Sequence, residues 1–386
     1  MRKKNLIKIY SLLAPILILT FIFSPRNENV SKIQNTEVLK TEDNIKFSTN
    51  NINVFGSSYS KSDSTKDISQ LEIYPGGTPI GIKISTDGLL IVAFSDVETS
   101  KGKIPSPAAQ SGLAIGDTIL KANNVKVKTS QELIRIINSN NGNPIKFSID
   151  RKGEKFEKEL IPVKCDSEDK YKIGLWLRDS TAGVGTLTFY HNDSKKFAAL
   201  GHPITDVDTN TMINIGKGNI VESSIINVRK GVRGNPGELK GVFIEEDIAL
   251  GDIKYNTQCG IFGNTNKDLI NPIANKPMKV ALRKEIKEGP AKIITTIDES
   301  GPQFYDINIE KLLSQDKPGP KSMIIKVTDS KLLEKTGGII QGMSGSPIIQ
   351  NDKIVGAVTH VLINKPDTGY GIYIEWMLED SNILSK

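Results

Sequence analysis

Cysteine is nearly absent from this chain: two in 386 residues, Cys165 and Cys259, far apart. That excludes a disulfide scaffold and any thiolate metal centre, and leaves at most one bridge. Histidine is almost as scarce. The three are His191, His202 and His360, with no metal-ligand spacing among them. No cofactor fingerprint is present, so neither a metal nor a cofactor is expected. Aromatics make up 6% of the chain, and no stretch interleaves them with basic residues. The net charge of +6 is spread out, which reads as a solvated basic surface and not as a nucleic-acid site. Long apolar runs are missing apart from one at the N-terminus. Thirty-three glycines and 18 prolines point to many turns and short strands.

The N-terminal run fixes the expected compartment. Met1-Arg2-Lys3-Lys4 precedes a segment, 6–23, that is apolar except for Lys8, Tyr10, Ser11, Pro15 and Thr20. Positive charge before an apolar run is an export signal. No small-x-small cleavage site follows, so residues 1–24 read as a signal anchor that inserts through 6–23 and sends the remainder across the membrane. Residues 25–70 are rich in Asn, Ser, Thr, Lys and Asp and read as a flexible tether.

Residues 71–165 have the pattern of a small α+β domain. Ile80–Ile84 and Leu89–Phe94 read as strands. Gln131–Asn138 places Leu133, Ile134, Ile136 and Ile137 at helical spacing, Asn140–Asn143 stops that helix, and Ile145–Ile149 alternates as a strand. Ser106–Val125 carries Pro107-Ala108-x-x-x-Gly112-Leu113-x-x-Gly116-Asp117-x-Ile119. This pattern closely resembles the PDZ domains attached to extracytoplasmic proteases. The resemblance implies a groove where a peptide adds as a strand and loop amides hold its carboxylate. The expected loop is Tyr74–Gly81, with Gly76, Gly77, Ile80 and Gly81 as its peptide-binding residues.

Residues 166–386 show turns every 8–12 residues and almost no helical pattern before Tyr373–Leu384. The economical reading is a double β-barrel, so the fold class is mainly β: anchor, PDZ domain, then a chymotrypsin-like double barrel. Two motifs carry chemistry. Gly342-Met343-Ser344-Gly345-Ser346-Pro347 is a tight turn that exposes Ser344, and the N–H groups of Gly342 and Ser344 can stabilise an oxyanion. Pro347–Val358 then reads as strand, Asn351-Asp352 turn, strand, as in chymotrypsin-like peptidases. Upstream, Ala198-Ala199-Leu200-Gly201-His202-Pro203 puts a histidine at the end of a buried strand, where it can take the serine proton. Met343 sits in the serine turn, where it could face a substrate. His191 reads as a surface residue in a turn, and His360 as a structural residue near the cleft.

The arrangement from leader through PDZ domain and Ala-Leu-Gly-His-Pro-Ile to Gly-Met-Ser-Gly-Ser-Pro-Ile resembles the stage IV sporulation protein B serine peptidases of endospore-forming bacteria. The resemblance implies an enzyme exported from the forespore into the space between forespore and mother-cell membranes. There it cleaves a membrane-bound regulatory protein, and itself, to release processing of a late mother-cell sigma-factor precursor. It also puts the triad acid at Asp329, fifteen residues before Ser344. Asp247, in Asp247-Ile248-Ala249-Leu250, is the rival acid, with Asp206 and Asp252 behind it. A non-catalytic PDZ scaffold and a general quality-control protease are the competing functional readings.

Overall fold

The computed structural model describes residues 68–315 and 317–383. The expected anchor and the tether as far as residue 67 lie outside them. Among the described residues no helix is long and apolar enough to cross a membrane.

The first two strands are β1 (Glu72–Pro75) and β2 (Pro79–Phe94). After β2 come helix α1 (Pro107–Gln110), β3 (Thr118–Ala122), helix α2 (Ser130–Ser139), β4 (Ile145–Arg151) and β5 (Glu154–Leu160). The chain then enters β6 (Leu175–His191), β7 (Lys196–Ala199), β8 (Ile215–Arg229), β9 (Glu238–Thr257) and β10 (Gly260–Asn264). These pair antiparallel in the order β6-β7-β10-β9-β8-β2, and β2 pairs back onto β6, closing a ring of six strands. A second closed barrel follows, from β11 (Gly289–Thr296), β12 (Pro302–Leu312), β13 (Met323–Val327), β14 (Pro347–Gln350), β15 (Lys353–Leu362) and β16 (Lys365–Tyr373). Helix α3 (Ser330–Thr336) lies between β13 and β14, and α4 (Ile374–Asp380) ends the fold.

The double barrel expected from the turn spacing is present, and so is the hairpin after the serine. Asn351 and Asp352 both take positive φ, at 52° and 59°, which suits a two-residue hairpin turn to the twist of its strands. The small domain folds as its pattern indicates. Thr129 caps α2 in a reciprocal capping box with Glu132, and Asn140 closes it. Leu133 and Ile137 face Leu89, Ile91, Phe147 and Ile149 in a separate core. Asp117 of the Gly-Asp motif is buried; it accepts the Ala114 N–H and the Arg151 guanidinium, so its role is structural.

The boundary between the two domains is not where the pattern put it. Ile80–Ile84 and Leu89–Phe94 belong to one strand, whose first half fills the first barrel and whose second half fills the PDZ core. β6 does the reverse: Leu175 and Leu177 pack against the PDZ core, and Leu187 lies in the barrel core. Residues 72–85 are therefore part of the peptidase body.

This displaces the expected peptide-binding loop. The Gly76 N–H donates to Thr188 O (2.8 Å) and the Gly77 N–H to Leu187 O (2.8 Å). The Thr296 hydroxyl, on the second barrel, donates to Gly77 O (2.9 Å). A Cβ at Gly76 would sit 2.0 Å from Leu187 O, and one at Gly77, where φ is +100°, 2.4 Å from Ile294. Both glycines are needed because backbone passes between the two barrels. Ile80 and Gly81 pair with β6 and β8 inside the first barrel. None of the four lies at the PDZ groove. That groove, a cavity of about 810 Å³, runs between α2 and residues 172–177. Leu175–Arg178 pair with β2 on one edge only, and Trp176 is 62% exposed there.

Candidate active site

The turn that carries Ser344 is fixed from three sides. Gly337, left-handed at φ 75°, ends α3. The chain then docks on the start of β9, with the Gln341 N–H on Gly237 O (3.0 Å) and the Leu239 N–H on Gln341 O (2.8 Å). Met343 is wholly buried and plugs the core beneath the turn, so it does not face a substrate. Its N–H is used by Ile340 O (3.1 Å) and its carbonyl by the Ser346 N–H (3.0 Å) and hydroxyl (2.7 Å). The Gly345 N–H reaches Val358 O on β15 (2.8 Å). Between these tethered groups, the N–H groups of Gly342 and Ser344 donate to nothing among the described residues. Positive φ at Gly342 (96°) and Gly345 (98°) creates this alternation of used and unused amides.

The third side is Thr186 on β6, which sequence reasoning missed. Its hydroxyl donates to Gly342 O (2.8 Å), its N–H donates to Ser344 O (3.0 Å), and its carbonyl accepts from the Leu200 N–H (3.3 Å). One residue of the first barrel thus ties the serine turn to the histidine turn. The alternation of Gly183–Tyr190 makes Thr186 a strand residue but carries no sign of this role.

The histidine turn is equally constrained. Leu200 and Gly201 both have positive φ, 72° and 71°, directly after β7. A buried leucine in that region is strained by roughly 1–3 kcal/mol. The two left-handed residues turn the chain out of the strand line, and His202 lines the cleft. Asn256 holds the continuation, accepting from the Ile204 N–H (2.8 Å) and donating to the carbonyls of Ile204 (2.8 Å) and Ile213 (2.9 Å).

His202, Ser344, Gly342 and His360 line one cavity of about 400 Å³ with Val184 and Ile204. Two residues far apart in sequence, His202 and Ser344, are thus brought together. The Ser344 hydroxyl donates to Thr359 O (2.7 Å). His202 Nδ1 is 2.8 Å from Pro203 O, which leaves Nε2 with the lone pair when Nδ1 carries the proton. Burial pushes the His202 pKa below its ordinary value, against the opposing Pro203 contact. The His360 ring lies 4.9 Å from that of His202.

None of the four candidate acids meets His202. Asp329 is the N-cap of α3: its carboxylate accepts the Leu332 N–H (3.0 Å), and it lies outside the cleft. Asp247 is exposed and lines a separate hollow with Lys83 and Glu246. Asp206 is buried, pairs with Arg178 and accepts from the Thr209 N–H (2.9 Å). Asp252 binds Asn219 (2.9 Å). A short polar residue after a strand caps a following helix as readily as it orients a base, and Asp329 does the former. His191 Nδ1 pairs with the Ser194 hydroxyl (2.7 Å), away from the cleft. Both cysteines are free and buried.

Fold and cleft define a PDZ-bearing, double-barrel serine peptidase. The family model of SpoIVB peptidase S55 matches residues 169–378, more than half of the chain, and that of the PDZ domain matches 92–161. The chain belongs to the SpoIVB peptidase S55 family. It is also 30% identical over 80 residues to a protein of Bartonella henselae whose name describes a zinc metalloprotease, covering 21% of this chain and 22% of that one. The chain thus spans about a fifth of that relative's length. Among solved structures it is similar to the PDZ domain of the SdrC-like protein from Listeria monocytogenes. That match has 24% identity and a TM-score of 0.20, over 24% of this chain and 90% of that one. It is similar too to the Rv3671c protease from M. tuberculosis, with 12% identity and a TM-score of 0.30, over 52% of this chain and 73% of that one.

Proposed function

We propose that this serine peptidase is an exported endopeptidase acting in sporulation signalling, with Ser344 as nucleophile and His202 as base. The observation that carries the catalytic part is the conjunction in one cleft of Ser344, His202 and the two unused N–H groups of Gly342 and Ser344. The Ser344 hydroxyl turns about χ1 from Thr359 O to His202. Nε2 takes its proton as Oγ attacks the scissile carbonyl, and the oxyanion forms against the two N–H groups. Collapse breaks the C–N bond. His202 returns the proton to the departing amine, and water hydrolyses the acyl-enzyme by the same route in reverse. Pro203 O keeps the proton of neutral His202 on Nδ1, one of the tasks a triad acid performs.

The signalling part rests on family membership and the charge pattern of the leader. The substrate is a membrane-bound regulator and a second copy of this chain, and cleavage releases processing of a late sigma-factor precursor. The open strand edge at Leu175–Arg178 takes an extended segment of a partner as an added strand. Labelling with a fluorophosphonate tests the reading: wild type should react, and Ser344→Ala should not. Discrete fragments from the Ser344→Ala chain incubated with wild type would support cleavage of one copy by another. Wild type that neither labels nor cleaves would favour a non-catalytic scaffold.

A further inference from the structure

One titratable side chain at the cleft, His360, has no part in that mechanism. His360 follows Thr359, whose carbonyl holds the Ser344 hydroxyl. Its ring stands 4.9 Å from that of His202, centroid to centroid, with the planes at 46°. Its Nδ1 is buried and meets no hydrogen-bond partner among the described residues. Among the described residues, meanwhile, His202 has no carboxylate beside it. The acid of a Ser-His-Asp site both fixes the tautomer and supports the imidazolium that forms. Pro203 O does the first here, but a single carbonyl dipole does the second weakly.

We propose that His360 is a positioning residue for His202: its neutral ring, with an unpartnered nitrogen, supports the imidazolium that forms when His202 takes the Ser344 proton. The proposal rests on Ser344 and His202 being nucleophile and base. The proton still travels from Ser344 Oγ to His202 Nε2 to the leaving amine, and His360 neither gains nor loses one. Its neutrality is built in. Burial, His202, and Lys321, which itself lies over the Tyr370 ring on β16, push the His360 pKa down to about 4. A charged ring there would repel the imidazolium.

The test uses the full-length chain and two variants. His360→Leu keeps bulk and removes the lone pair; His360→Asn keeps a polar acceptor at similar reach. A small fluorophosphonate reports reaction of Ser344 without extended substrate contacts. We expect His360→Leu to label about 10- to 100-fold more slowly, with the pH midpoint of labelling displaced to lower pH. His360→Asn should stay within about 5-fold of wild type. Three results overturn the proposal: a wild-type labelling rate in His360→Leu, a midpoint that rises toward the ordinary histidine value because His360 only excludes water, or equal losses in both variants, which mark packing alone. If neither variant folds, the three histidines of the Ser344→Ala chain can be followed by nitrogen NMR. The His360 Nδ1 resonance should move as His202 titrates while His360 stays neutral, and a stationary resonance refutes the contact. Normal labelling of His202→Ala would instead sink the base assignment, and the proposal with it.

Discussion

The two barrels have six strands each and contribute one catalytic turn each, yet they hold those turns by different means. The second barrel is compact: its strands run from 4 to 11 residues, and a buried core led by Ile293, Ile325, Ile348 and Met377 fills it. Its serine turn is anchored to its own neighbour strand, to a buried methionine and, from the first barrel, to the start of β9 and to Thr186. Four of the first barrel's six strands are 15 to 20 residues long; β2 and β6 run on into the PDZ domain, β8 and β9 into a long hairpin, and the barrel's own core is smaller. Its histidine turn is held by left-handed Leu200 and Gly201, by the Thr186 carbonyl and by the Asn256 side chain. Both turns lean on the first barrel's β6, where Thr186 meets the serine turn with its hydroxyl and N–H and the histidine turn with its carbonyl.

The largest effect should come from the groups that react. Ser344→Ala and His202→Ala should each remove at least about 10³-fold of peptide cleavage, and the double variant should lose little more, because the two act as one unit. Additive losses, measured by active-site-normalised kcat, would separate them. Next is the seam between the barrels. Gly77→Val puts a Cβ against Ile294 at positive φ and should cost about 2–4 kcal/mol of stability, read as a fall in melting temperature. Any folded fraction should lose cleavage of small peptides and of protein substrates together. Selective loss of protein cleavage would return Gly77 to the PDZ groove.

The clamp between the barrels is subtler. Thr186→Val keeps the N–H to Ser344 but loses the hydroxyl to Gly342 O, and should lower kcat about 10-fold with little change in KM. An unchanged kcat would place the clamp's strength in the backbone alone. Asp329 gives the sharpest contrast between expectation and geometry. Asp329→Ala should lower stability by about 1 kcal/mol through the lost cap, and Asp329→Asn by less, with kcat retained in both. A kcat loss near 10⁴-fold in Asp329→Asn would make it the triad acid after all.

The smallest effect is that of pH. Burial lowers the His202 pKa, so the basic form persists in mild acid and the rate should fall only below pH 6.5, the ordinary histidine value. Stability should follow the same sign. As pH drops below about 6.5 the unfolded chain binds protons at His202 and His360 that the folded chain resists, so stability is lost between there and about 4, the folded value for His360. A midpoint at or above 6.5, or stability that rises over that window, would contradict the burial of the pair.

The sequence by itself determined the features that depend on local chemistry. Gly342 and Gly345 announced a turn because only glycine adopts its backbone freely. Asn351-Asp352 announced the hairpin, Asn140 ended a helix, and the scarcity of histidine singled out His202. What depends on which backbone passes beside which was decided only by the tertiary structure. Gly76-Gly77 reads equally well as a ligand loop or as a plain turn before a strand, until Leu187 O and Ile294 occupy the space where side chains would be. Asp329 reads as the triad acid, until the Leu332 N–H claims its carboxylate. Thr186 and His360 look like ordinary strand residues, because their roles come from partners 156 and 158 residues away, Gly342 and His202, that only barrel closure brings within reach.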